Sequence, residues 1–125
     1  MSSPHDLVSD LAQARWDEQD PGKGNALPGS GRQANSSFAL KIGATAETGT
    51  LPDPERPGLV LTVTCYSIGA GNRTYTAASL INVAGNTHFQ FTAVNQVIIL
   101  QAIPYAGNTN KCRWSVVDND GTTLS

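Results

Sequence analysis

Between Pro57 and Asn110 the side chains able to do chemistry are Arg73, His88, Cys65 and the tyrosines Tyr66, Tyr75 and Tyr105, with no carboxylate among them. Proton transfer, metal binding and phosphoryl transfer each need ionisable groups converging in a cleft. A Ser-His-Asp relay would need an acid beside His88, and this stretch supplies none. His88 sits in a strand-like run with Phe89 and Phe91 and reads as an outward-facing strand histidine, while His5 falls in a first helical turn, where solvated surface is the default. No His-x-His, Cys-x-x-Cys or His-Glu-x-x-His spacing occurs, so neither a metal site nor a cofactor is expected. Gly22-Lys23-Gly24 lacks the P-loop spacing, and Gly69-Ala70-Gly71 suits a hairpin better than a nucleotide. The expectation is a binding or structural protein, not an enzyme.

Arg73 is the exception in this neutral stretch. Two readings of it stand: an oligomer-interface residue paired with a carboxylate of a neighbouring subunit, or a solvated arginine at a strand end. The three tyrosines offer another possibility, a sugar platform on which aromatic faces stack while Asn and Thr bond hydroxyls. Sugar sites usually hold those hydroxyls with Asp or Glu, which this stretch lacks. A carbohydrate-binding module therefore ranks behind a flat, Thr- and Asn-rich β surface that lies against other protein.

Bulk composition narrows the classes further. A chain of 125 residues fits one domain with a modest core and an appended arm. The formal net charge is −2, and the eight Lys and Arg are spread thinly from Arg15 to Arg113, so direct nucleic-acid binding is not expected. Cys65 and Cys112 fall far short of a disulfide scaffold. They are expected as two buried thiols, although spacing alone leaves pairing open. No run approaches the ~20 apolar residues of a membrane span. Ser2 to Asp6 has no basic start and leads into no apolar run, which predicts a soluble product assembled inside a cell.

Two regions divide the chain. Residues 3–16 read as a short helix: Ser3 can cap, Pro4 suits the first helical position, and Asp6 completes a capping-box spacing. Leu7, Leu11 and Ala14 recur at helical spacing with Val8 and Ala12 beside them, and Trp16 closes the pattern. So short a helix is marginal alone and must dock on something. Residues 21–36 are rich in Gly, Pro, Asn and Ser and read as an extended arm. Residues 1–36 are thus expected to be an attachment element, with Leu7, Val8, Leu11 and Trp16 as its contacts.

Residues 37–125 read as an all-β domain. Phe38, Leu40 and Ile42 alternate, as do Leu59, Leu61 and Val63; Arg73 to Ala77, Leu80 to Val83 and His88 to Phe91 follow as strands. Val97 to Ile103 is the most apolar strand and reads as central, Cys112 to Val117 carries Trp114 as a core anchor, and Asp120-Gly121 signals a hairpin to a last short strand. About seven short strands with frequent turns describe an antiparallel sandwich, jelly-roll-like or barrel-like.

Three segments carry a family resemblance: Glu47-Thr48-Gly49-Thr50-Leu51-Pro52, the run from Ala78 to Thr87, and above all the tract from Arg113 to Ser125. Residues 47–125 resemble the β domain of small capsid cement, or head decoration, proteins of tailed bacteriophages. The resemblance does not cover the N-terminal helix and arm. It implies a β-sandwich that clusters as a homo-oligomer, often a trimer with a dimer as the other order, on the outside of the shell, bound to the major capsid protein. It implies no enzyme activity. Similar β domains occur in other virion components, which keeps a receptor-binding module of a tail or head fibre as the second reading.

Overall fold

The structure, a computed structural model, describes residues 18–105 and 108–125. The expected helix over 3–16, with Leu7, Val8, Leu11 and Trp16, lies outside the described residues. In chain order the described strands are β1 (Glu18–Gln19), β2 (Ser37–Ile42), β3 (Glu47–Leu51), β4 (Val60–Ile68), β5 (Arg73–Ala77), β6 (His88–Phe91), β7 (Val97–Tyr105), β8 (Asn108–Asp120) and β9 (Thr123–Leu124). They form a five-stranded sheet in the order β1-β2-β4-β7-β8 and a four-stranded sheet in the order β3-β5-β6-β9. The fold is all-β.

Alternation explains which side chains meet between the sheets. From the larger sheet Phe38, Leu40, Leu61, Val63, Ile98, Leu100 and Trp114 are buried, and from the smaller Leu51, Tyr75, Phe89 and Phe91. Tyr75 stacks on Phe89 at 5.3 Å between centroids, and Phe91 meets Phe89 edge-on at 6.0 Å. Trp114 anchors the core as expected, and its indole Nε1 donates to the Pro52 carbonyl at 2.9 Å, so its one polar atom is satisfied. β7 is an interior strand, with β4 on one side and β8 on the other.

The expected antiparallel arrangement is corrected: both sheets are mixed. β1 with β2, β2 with β4, and β3 with β5 pair in parallel, and the remaining pairs are antiparallel. For β2 with β4 and β3 with β5 the cause is that the chain changes sheet after β2, after β3 and after β4, so each return visit runs in the original direction; between β1 and β2 the chain passes β3 of the other sheet, where Ala26 bridges Thr50 in parallel. Gly69-Ala70-Gly71 is therefore a corner between sheets and not a hairpin. It stacks on the preceding corner, with Gly69 N donating to Ile42 O at 2.9 Å and Gly71 N to Gly43 O at 3.1 Å. A Cβ on Gly71 would come within 2.0 Å of the Thr45 carbonyl oxygen, so only glycine fits this approach. Asp120-Gly121 likewise crosses sheets, because β9 pairs with β6 and not with β8.

Two further expectations change. Leu80 to Val83 is not a strand: the Asn82 side chain accepts from Asn86 N at 2.9 Å and donates to Asn86 Oδ1 at 2.7 Å, closing a compact loop. Such local side-chain bonds compete with ladder formation. Only Ile81 of that run is buried. Residues 21–36 are not a free arm either. Leu27 and Ala34 are fully buried in the core, Leu27 N donates to Thr50 O at 2.9 Å, and a 3-10 turn spans Arg32–Asn35. The segment from β1 onward is laid against the sandwich and belongs to it.

Candidate functional site

Arg73 opens β5 on the same face as Tyr75, so alternation turns it inward between the sheets, and only 1% of its surface is exposed. An inward guanidinium must be paired to be tolerated. Its Nε and Nη2 donate to Glu47 Oε1 at 2.8 and 2.5 Å, Nη2 also reaches Asp20 Oδ2 at 3.1 Å, and Nη1 bonds Asp20 Oδ1. Nη1 donates to the Tyr75 hydroxyl at 3.2 Å, and Nη2 to the Lys41 carbonyl at 3.4 Å. The expectation of a carboxylate from a neighbouring subunit is thereby corrected, as is the solvated strand-end alternative. Both acids come from the same chain, outside the charge-poor stretch.

This cluster ties four elements from both sheets. Asp20, just past β1, also accepts from the amides of Gly22 at 2.9 Å and Lys41 at 3.0 Å. Glu47, opening β3, accepts from Gly43 N at 2.9 Å. Burial alone would raise the Asp20 carboxyl, but the bonds from Arg73 and the two amides, with the guanidinium charge, hold it below its ordinary value of 3.8. Burial in turn pushes the Tyr75 phenol up to about 12, against the pull of Arg73. The cluster is a structural tie between the two sheets.

The other candidates are dispersed. Of the three tyrosines, Tyr75 is in the core, Tyr66 stands on the outer face of the larger sheet, and Tyr105 lies at the end of β7 with the Arg113 guanidinium 5.9 Å from its ring centre. They form no common platform. Tyr105 does share an open cleft of about 530 Å³ with Asp53, Glu55, Ser79 and Lys111, so carboxylates absent from its neighbourhood in sequence are brought to it by the fold. Cys65 and Cys112 are buried, unpaired thiols, and burial pushes the Cys65 thiol up. His88 is half-buried, its Nδ1 bonded to the Thr87 hydroxyl at 2.9 Å. Among the described residues no three His, Cys, Asp or Glu side chains converge as metal ligands, and no helix is long and apolar enough to cross a membrane.

The two outer faces of the sandwich differ. On the smaller sheet the outward positions are Thr48, Thr50, Thr74, Thr76, His88 and Gln90, with Gln90 Nε2 bonded to Thr74 at 3.0 Å. On the larger sheet the outward positions of β4 and β7 are Val60, Thr62, Thr64, Tyr66, Val97, Ile99, Gln101 and Ile103, with Thr62 opposite Ile99, Thr64 opposite Val97 and the exposed Gln101 opposite Val60. This face is broad, uncharged at its centre and β-branched. No protein-family model matches the chain, and no curated protein matches it.

Proposed function

We propose that this chain is a structural virion protein, a cement or decoration protein that binds the outside of a tailed-phage capsid and holds neighbouring major capsid subunits together. It works by contact alone, with no catalytic step and no cofactor, and is assembled in the host cytoplasm onto the virion. The observation that carries this reading is the uncharged, largely β-branched outer face of the larger sheet, suited to permanent contact with protein, further copies of the chain included, on a body whose Arg73 ion pairs with Asp20 and Glu47 are turned inward. A surface of that kind packs on protein without stranding a charge. The resemblance of residues 47–125 to cement-protein β domains supports the same reading.

Attachment falls to the segment before β1. Because residues 20–36 are tied into the body, the attachment element narrows from residues 1–36 to residues 1–17, whose sequence predicts a short amphipathic helix with Leu7, Val8, Leu11 and Trp16 as its contacts to the coat. A homotrimer multiplies the attachment segments, so weak single contacts sum to durable binding. Protein beginning at Glu18 is expected to fold and to keep the full-length oligomer, yet to bind empty capsids at least about tenfold more weakly. Equal decoration by the two proteins in a co-sedimentation assay would overturn the attachment role.

The cleft at Tyr105 favours one second reading, a carbohydrate- or receptor-binding β module of a tail or head fibre. Asp53 and Glu55 stand where sugar hydroxyls could be held while a ring stacks on Tyr105. In that reading Tyr105→Ala abolishes retention on immobilised host-surface polysaccharide. In the cement reading the same variant decorates capsids like the parent.

A further inference from the structure

We infer that the outer face of the larger sheet is the surface through which copies of this chain associate, three copies turning these faces toward a common axis; the inference rests on the homo-oligomeric reading above. The first ground is the contrast between the two outer faces. Thr, His and Gln on the smaller sheet can stay wet, whereas Val97 and Ile99 beside Thr62 and Thr64 expose methyl groups that gain by burial.

The second ground is the Thr64 hydroxyl. Thr64 is 9% exposed, yet its Oγ1 is buried with no hydrogen-bond partner among the described residues. It lies in a groove of about 400 Å³ bordered by Ala39, Tyr66 and Asn95. Asn95 is held there at φ 72°, its amide donating to the Cys65 carbonyl at 2.8 Å. A buried hydroxyl left unpaired is costly, and association that opens the groove around it to a polar group of another copy would satisfy it.

The third ground is charge at the two margins. Lys41 is exposed on β2, next to the two-residue edge strand β1, and Asp118 and Asp120 are exposed on β8 at the other side, at the end of that strand away from Arg113. The register runs Ala39 to Thr64, Thr64 to Val97, and Val97 to Asp120, so Ala39 and Asp120 share one row across the sheet. Lys41 is two residues further along, about 7 Å, within reach of a lysine side chain. Rotation about an axis along the strands leaves heights unchanged. It therefore brings the Lys41 margin of each copy against the Asp118 and Asp120 margin of the next, while the neutral centres close on the axis. The same step covers the end of β8, an edge strand of the larger sheet, beyond Val116, whose amide already donates to the Ile81 carbonyl at 2.8 Å.

Sedimentation equilibrium of the full-length chain tests this. The parent protein is expected as a trimer, Ile99→Lys as a folded monomer with an unchanged far-ultraviolet spectrum, and Lys41→Glu as a trimer weakened at least tenfold. Combining Lys41→Glu with Asp118→Lys and Asp120→Lys should restore the parent affinity. A parent trimer unaffected by both Ile99→Lys and Lys41→Glu overturns this face as the contact and leaves the oligomer reading intact. A parent that sediments as a monomer overturns both.

Discussion

Arg73→Ala is expected to lower the free energy of unfolding by about 3–5 kcal/mol, because it strands the Asp20 and Glu47 carboxylates between the sheets without their cation. Simple loss of a surface ion pair would cost under about 1 kcal/mol, so the measured size separates the two situations. Arg73→Lys should recover only part of the loss, since an ammonium cannot bond both carboxylates and the Tyr75 hydroxyl through one planar fork. Urea unfolding followed by tryptophan fluorescence reads both. A loss below about 1 kcal/mol for Arg73→Ala would mean that the cluster is solvated and does not hold the sheets together.

The same cluster sets an acid limit. Asp20 has a folded value below its ordinary 3.8, so its contribution is complete above that pH and is lost as pH falls through the folded value. The urea midpoint should hold from about pH 7 to about pH 5 and then decline below pH 3.8, and Asp20→Asn should flatten that decline. A midpoint that falls equally in the parent and in Asp20→Asn would assign the acid sensitivity to other carboxylates.

Removing residues 1–36 is the second large effect, and here the expectation from sequence and the structure part company. Composition alone makes Ser37 a natural start for an independent β body. In the structure that cut deletes Asp20 from the Arg73 cluster, Leu27 and Ala34 from the core, and the Asn35 side chain that accepts from Val60 N at 2.8 Å. Leu27→Ala alone is expected to cost about 2–5 kcal/mol, a large share of what a domain of this size holds in reserve. Protein beginning at Ser37 should therefore show no cooperative unfolding transition at room temperature, whereas protein beginning at Glu18 should unfold like the parent. A cooperative, parent-like transition from the Ser37 protein would show that residues 18–36 merely rest on the sandwich.

Why the sequence misleads at that segment is physical. Among the described residues of that segment Leu27 and Ala34 are the apolar core members, set among many glycines, prolines and polar residues, and two apolar side chains make no period. The strands themselves were legible because alternation is local: Phe38, Leu40 and Ile42, then Leu61 and Val63, then Phe89 and Phe91 appear in the core as their spacing implies. Connectivity was not. Gly69 to Gly71 and Asp120-Gly121 give the same turn signal whether the chain doubles back in its own sheet or crosses to the other, and both cross. Leu80 to Val83 has strand-like composition, but the Asn82 and Asn86 side chains bond each other and outcompete a ladder.

Arg73 is singled out by the sequence, but as an interface or solvated strand-end residue, and its inward turn is missed. Its spacing from Tyr75 places it on the core side of β5, and a buried guanidinium demands carboxylates. Nothing local names them, since Asp20 lies 53 residues away and Glu47 lies 26 away. The carboxylates beside Tyr105 are hidden for the same reason, because Asp53 and Glu55 reach the cleft only through the loop between β3 and β4. Separation along the chain, not ambiguity of residue type, hid both groupings.

The most direct test of the cement reading is the ratio of this chain to the major capsid protein in purified virions, measured by quantitative mass spectrometry and repeated after capsids are separated from tails. A copy number comparable to that of the coat protein, retained with the capsid fraction, is expected. A handful of copies per particle, travelling with the tail, would contradict it.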